Sequence, residues 1–106
     1  MITAFIQFTL PAGTTRNDVM AAFRASVEQL RGYPGLIRKH YLYNAEEGTA
    51  AGVYLWESRA AAEALYTPEW RRMITARYGS EPVIAWFDTP ILLDNTTGEV
   101  IDEAAE

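Results

Sequence analysis

Residues 34–57 read PGLIRKHYLYNAEEGTAAGVYLWE, and the way this stretch pairs with itself decides the fold. Two runs rich in β-branched and aromatic residues, Leu36 to Tyr43 and Gly52 to Trp56, flank a polar segment, Asn44 to Thr49, that contains Gly48. Such runs suit a pleated surface, and a polar break with glycine between them predicts a β-hairpin. The hairpin carries the chain's only histidine, His40, and its only lysine, Lys39, together with Tyr41, Tyr43, Tyr54 and Trp56. A two-residue turn at Glu47-Gly48 would set Tyr41 opposite Tyr54 and Lys39 opposite Trp56. A three-residue loop with Gly48 in the left-handed region would set His40 opposite Tyr54. Both registers remain open at this level.

Upstream, Ile2 to Leu10 alternates Ile2, Ala4, Ile6, Phe8 and Leu10 with Thr3, Phe5, Gln7 and Thr9, a period-two strand ended by Pro11 and Gly13. Thr15 followed three residues later by Asp18 forms a capping-box pattern, and Val19, Met20, Phe23, Val27 and Leu30 recur at helical spacing until Gly32 and Pro34. Downstream, Ser58 can cap an alanine-rich helix over 59–66. Thr67-Pro68 breaks it and restarts a second piece that reaches about Tyr78, with Trp70, Met73, Ile74 and Arg77 along one side and Gly79 as the stop. Pro82 to Leu93 reads as a last strand, and Pro90 within it predicts an edge position or a bulge. The order β-α-β-β-α-β is that of a ferredoxin-like α+β fold, an antiparallel sheet with two helices on one face. Every strand, however, places apolar or aromatic residues on both faces, where a half-solvated sheet should alternate cleanly. The uncovered face therefore predicts a homodimer packed sheet to sheet.

The 106 residues, 49% of them hydrophobic, suit one domain, assigned here to residues 1–95. Residues 96–106 read as a polar, acidic C-terminal tail. Five acids, Asp94, Glu99, Asp102, Glu103 and Glu106, account for the whole net charge of −5, and the body before them is neutral. Nothing in it has the clustered basic character that nucleic acid requires. No apolar run reaches the roughly 18 residues needed to span a bilayer, and the first residues lack the basic start of a secretory signal, so no membrane partner and a cytoplasmic location are expected. Zero cysteines and a single histidine exclude disulfides and thiolate or multi-histidine metal sites within one chain.

Pro34-Gly35-Leu36, the strand GVYLWES over Gly52–Ser58, Ala64-Leu65-Tyr66, Trp70 and Trp86-Phe87-Asp88, in this order and spacing, resemble the small YdhR-like mono-oxygenases. These are grouped with the antibiotic-biosynthesis monooxygenases in the dimeric α/β-barrel superfamily, and the resemblance covers Ile2 to Asn95. It implies two protomers packed sheet to sheet and a pocket in each between sheet and helices. It also implies oxidation of an aromatic or polycyclic, phenol- or quinol-like substrate by dioxygen as co-substrate, with no flavin, metal or haem cofactor. A haem-degrading branch of the superfamily uses an asparagine on the first strand and a histidine on a helix. This chain has Gln7 and a strand histidine instead, and so departs from that branch.

Cofactor-free oxygenation requires a pocket for an electron-rich ring, a group that removes or stabilises its phenolic proton, and exclusion of water. Histidine is the side chain best suited to proton transfer near neutral pH, which makes His40 the first candidate base. Tyr54 and Tyr41 could donate to a developing phenolate. Lys39 alternates with His40, so the two point to opposite faces and compete for the pocket. Trp56, Tyr66, Trp70, Tyr78 and Trp86 are the candidate aromatic walls, with the broken second helix as roof. Each also has a plain structural role available, as core, dimer seam or solvated charge. A ligand-binding barrel with no oxygenase chemistry is the alternative function, since a fold alone does not fix one.

Overall fold

Ala4, Ile6 and Phe8 are buried while Gln7 and Thr9 are exposed, and this alternation makes β1 (Ile2–Thr9) the centre of the molecule. The structure, a computed structural model, describes residues 1–103. After β1 come α1 (Arg16–Leu30), β2 (Leu36–Asn44), β3 (Thr49–Trp56), α2 (Arg59–Leu65), α3 (Pro68–Tyr78), β4 (Val83–Asp88), β5 (Ile91–Asp94) and β6 (Glu99–Asp102). The first four strands form one antiparallel sheet in the order β2-β3-β1-β4, which is the ferredoxin-like arrangement. Among the described residues no helix is long and apolar enough to cross a membrane.

The helices start and stop where local chemistry directs. Thr15 accepts from the Asp18 amide at 3.1 Å while the Asp18 carboxylate accepts from the Thr15 amide at 3.0 Å, the reciprocal capping box. Ser58 caps α2 and Thr67 caps α3, with Pro68 in the first turn and Gly79 in the left-handed conformation at the end. Val19, Phe23 and Ser26 of α1, Ala62 of α2, and Trp70, Ile74 and Tyr78 of α3 are buried against one face of the sheet. The second helix of the expected pattern is thus divided in two at Tyr66-Thr67.

The hairpin takes neither register read from the sequence. Its loop has four residues, 45–48, because the Asn44 side chain accepts from the Glu47 amide at 3.0 Å and Gly48 turns the chain with a positive φ. Lys39 therefore stands opposite Tyr54, His40 opposite Val53, and Tyr41 opposite Gly52. Ile37 is an extra residue between Leu36 and Arg38, a bulge near the start of β2.

Residues 99–102, assigned above to the acidic tail, pair with residues 91–94 as a separate two-stranded hairpin. The turn chemistry of Asn95-Thr96-Thr97-Gly98 overrides the polar composition. Asp94 accepts from the Thr96 amide at 2.9 Å, its carbonyl accepts from the Gly98 amide at 2.7 Å, and Gly98 has a positive φ. The hairpin is tied to the body by Arg38–Asp94 at 3.4 Å and by the Met1 amino group with Glu103. Residues 104–106 of the expected tail lie outside the described residues. Pro90 separates β4, an edge strand, from this hairpin.

Candidate functional site

The register places Lys39 on the helix-covered face of the sheet, among aromatic rings. Gly52, beside it on β3, makes the room. A Cβ there would stand 2.8 Å from Cε1 of Tyr54 and 3.0 Å from Cε of Lys39, so only glycine lets both side chains lie across the strand. The Lys39 ammonium sits 3.9 Å from the centroid of the Tyr41 ring and 4.3 Å from that of Tyr54, and donates to Ser26 Oγ at 3.3 Å. Ser26 Oγ in turn lies 3.0 Å from Tyr41 Oη. Burial lowers the Lys39 pKa from 10.5 to about 7, and the charge of Arg77 adds to the effect. At neutral pH a large fraction of this amine is therefore uncharged and able to accept a proton. Burial moves the tyrosines the opposite way: Tyr41 is raised, and Tyr54 and Tyr66 more strongly, so all remain protonated donors.

Between sheet and helices lies a cavity of about 220 Å³. Tyr54 contributes from the sheet, Ser26, Gln29 and Leu30 from α1, Leu65 from α2, Trp70, Met73, Ile74 and Arg77 from α3, and Tyr33 from the connection before β2. On the other side of Lys39 a more open depression of about 260 Å³ runs between α1 and the β2 edge, lined by Val27, Leu30, Ile37, Lys39 and Tyr41. Lys39 thus spans from the second depression to two residues that wall the first. A larger hollow of about 330 Å³, between α1 and β2, is lined by Met20, Phe23 and Tyr43 but lacks the Lys39–Ser26 pair. The candidate site is the first cavity, lined by hydroxyls and aromatic rings, with the Lys39 amine against Ser26 and Tyr54 of its wall. Among the described residues no group of three or more His, Cys, Asp or Glu comes together to hold a metal.

Of the residues singled out in the sequence, Tyr54 and Trp70 line this cavity, while Lys39 and Tyr41 line the neighbouring depression and contact its wall through Ser26 and Tyr54. His40 is exposed on the opposite, uncovered face, so within one chain it is out of reach of the cavity. Trp56 and Tyr66 lie behind the cavity wall. The Trp56 indole N–H donates to Tyr66 Oη at 2.9 Å, and Tyr66 packs on Trp70 with centroids 4.8 Å apart. Tyr78 stacks on Phe8 at 4.1 Å and lines a separate cleft of about 140 Å³ with Pro11 and Asp18. Trp86, on the edge strand, is covered by the Arg59 guanidinium at 3.7 Å and touches Tyr66. Sequence reasoning did not assign Ser26 or Arg77 to the site. Ser26 falls on the buried stripe of α1 with Val19 and Phe23, and a polar residue at such a position is the signal that could have found it.

The family described as "Putative mono-oxygenase ydhR" matches residues 5–85. No curated protein sequence matches the chain. Among solved structures, an antibiotic biosynthesis monooxygenase superposes with a TM-score of 0.65 at 19% identity over 84% of this chain and 98% of its own. SnoaB, a cofactor-independent oxygenase from Streptomyces nogalater, gives 0.64 at 18% identity over 89% and 97%. A protein from Deinococcus radiodurans described as a putative antibiotic biosynthesis monooxygenase gives 0.65 at 11% over 89% and 97%. At such identities the likeness extends to the fold alone.

Proposed function

This chain belongs to the family described as putative mono-oxygenase ydhR, and from that membership we propose that it oxidises a small hydroxylated aromatic molecule with dioxygen, without a bound cofactor, in the cavity between Tyr54 and Trp70. The observation that carries this reading is the Lys39 amine, brought down to about pH 7 and held against two tyrosine rings beside that cavity. The similarity to SnoaB, described as a cofactor-independent oxygenase, supports the chemistry.

Lys39, as the free amine, takes the phenolic proton of the substrate. The phenolate that results is electron-rich, and its negative charge is held by the new ammonium and by the hydroxyls of Ser26 and Tyr41. One electron passes from the phenolate to dioxygen, and the two radicals join at a ring carbon to form a C–O bond. The hydroperoxide takes up the proton held by Lys39, loses the ring C–H proton and breaks its O–O bond, leaving a quinone and water. The balance is one phenol and one dioxygen to one quinone and one water. Trp70, Met73 and Ile74 hold the ring and exclude water, which would otherwise solvate the phenolate. The working form is a homodimer through the uncovered sheet face, where Leu42, Val83 and Phe87 are exposed.

Oxygen uptake by protein verified free of flavin, haem and transition metal, across a panel of phenols and quinols, tests the reading. Lys39→Met should lower turnover by about a hundredfold or more with the fold intact, the range of general base assistance. His40→Ala should stay within about threefold of the parent. The parent's kcat/KM should rise with pH through about 7, following the free amine. Equal turnover in the Lys39 variant would remove the amine from the mechanism, and saturable binding with no oxygen uptake would make the protein a ligand-binding barrel.

A further inference from the structure

Two basic side chains stand at the wall of the cavity, and no acid lines it, although Arg77 also borders the neighbouring cleft with Asp18 and hydrogen-bonds the Tyr78 hydroxyl. Arg77 lines it directly, and Lys39 reaches Ser26 and Tyr54, which line it too. The cavity lining contains no Asp or Glu, although the chain as a whole carries a net charge of −5. Four of the eight arginines have carboxylate partners, Arg31 with Glu28, Arg38 with Asp94, Arg59 with Glu63 and Arg72 with Glu69, and of the others Arg77 is the one that lines the cavity. Among the described residues no carboxylate forms an ion pair with Arg77. Its charge is instead felt by Lys39, a like charge that makes the site less favourable when empty. Partly buried cations without a counter-ion are costly, and an anion entering the cavity would relieve both desolvation and repulsion. The polar groups on the same wall, Ser26 and Gln29, can donate hydrogen bonds as well.

Size narrows the ligand further. An apolar cavity of about 150 Å³ accommodates benzene. One of about 220 Å³ therefore suits one ring or two fused rings. A guanidinium presents a planar fork that matches a carboxylate, and a carboxylate conjugated to a ring lies in the ring's own plane. We propose that the substrate is an aromatic carboxylate of one or two rings, bearing a hydroxyl, whose carboxylate pairs with Arg77 while its hydroxyl lies at Lys39. This rests on the reading of the cavity as the site and names what that site selects.

The test is binding measured without oxygen, by calorimetry and by quenching of tryptophan fluorescence, with matched probes: phenol against 4-hydroxybenzoate, and 2-naphthol against 6-hydroxy-2-naphthoate. In at least one pair the carboxylate should tighten binding tenfold or more, and raising sodium chloride from 50 to 500 mM should erode that gain while sparing the neutral phenol. Arg77→Gln should reduce the gain to less than threefold. Arg77→Lys, which keeps the charge and guards against misfolding of the first variant, should retain part of it. A gain below tenfold in both pairs, or one that survives Arg77→Gln in folded protein, overturns the proposal. The two readings fail separately. An aromatic acid bound through Arg77 with no oxygen uptake leaves this inference standing and removes the oxygenase. Uptake that is indifferent to a carboxylate on the substrate does the reverse.

Discussion

Lys39 is a residue kept at the expense of stability. Ser26 from α1, Tyr41 beside it on β2, Tyr54 on β3 and Arg77 from α3 face its ammonium, and none of them is an acid. Its pKa is about 7 folded against 10.5 ordinarily, so between those values the unfolded chain binds more protons than the folded one. Stability should therefore rise as pH increases from about 7 towards 10, with the full cost of the buried charge present below 7. Lys39→Met keeps the aliphatic stem between the rings and removes that cost. At pH 6 the variant should melt about 5 °C higher, roughly 1 kcal/mol or more for a chain of this size, and the gap should close towards pH 10. A variant that melts lower at pH 6 would show that the ammonium's contacts with the two rings outweigh its desolvation. A stabilising substitution that abolishes activity is the ordinary signature of a functional residue.

At the scale of elements, the site depends on how α2 and the turn before β2 approach each other. Gly35 has φ +82°, and a Cβ built there would lie 2.5 Å from Cβ of Ala61, with the Gly35 carbonyl accepting from the Glu57 amide at 2.8 Å. Small residues on both sides let the turn close beneath the helix and set the height of Tyr33 and Leu36 over Trp56. Gly32 also has a positive φ, +70°, but nothing lies within 4 Å of a Cβ there. Gly32→Ala should thus cost only backbone strain, about 1 kcal/mol. Gly35→Ala should cost that plus overpacking, about 2–4 kcal/mol in all. Urea denaturation of both variants separates the two effects, and equal losses would mean that the helix moves aside freely.

The whole molecule presents two sheet faces with different fates. One is covered by three helices and holds the core, from Ala4 and Ile6 to Trp56 and Ala62. The other exposes Leu42, Val83 and Phe87 with Phe5 half-buried between them, while Leu55 at one end is buried beside Arg38, which pairs with Asp94 of the β5-β6 hairpin. A second copy is the occupant the apolar character fits, and light scattering should give twice 11.9 kDa at micromolar concentration. Phe87→Asp with Leu42→Asp should halve that mass, because each places a charge in the centre of the seam. A parent at 11.9 kDa that does not rise on concentration would leave this face open to solvent and require another explanation for its side chains.

Much of this was decided by neighbours along the chain. Alternation in β1, the capping box at Thr15 and Asp18, the break at Thr67-Pro68 and the glycine stop at Gly79 are interactions among residues a few positions apart, so the ferredoxin-like order of elements could be read from them. The aromatic lining of the candidate cavity was legible for the same reason, since Tyr54 and Trp70 announce themselves by type and position. What the sequence left open was which of Lys39 and His40 faces the helices, and a single residue of loop length decides that. The Asn44 side chain closes a four-residue loop and turns Lys39 inward and His40 outward. The acidic stretch after Asp94 misled in the same way, because a turn of Asp94, Thr96 and Gly98 outweighed its polar composition. Ser26 and Arg77 acquire meaning only when α1, α3 and the sheet are packed together. Register, burial and the convergence of charges from separate elements are properties of distance in space, and only the tertiary structure supplies those distances.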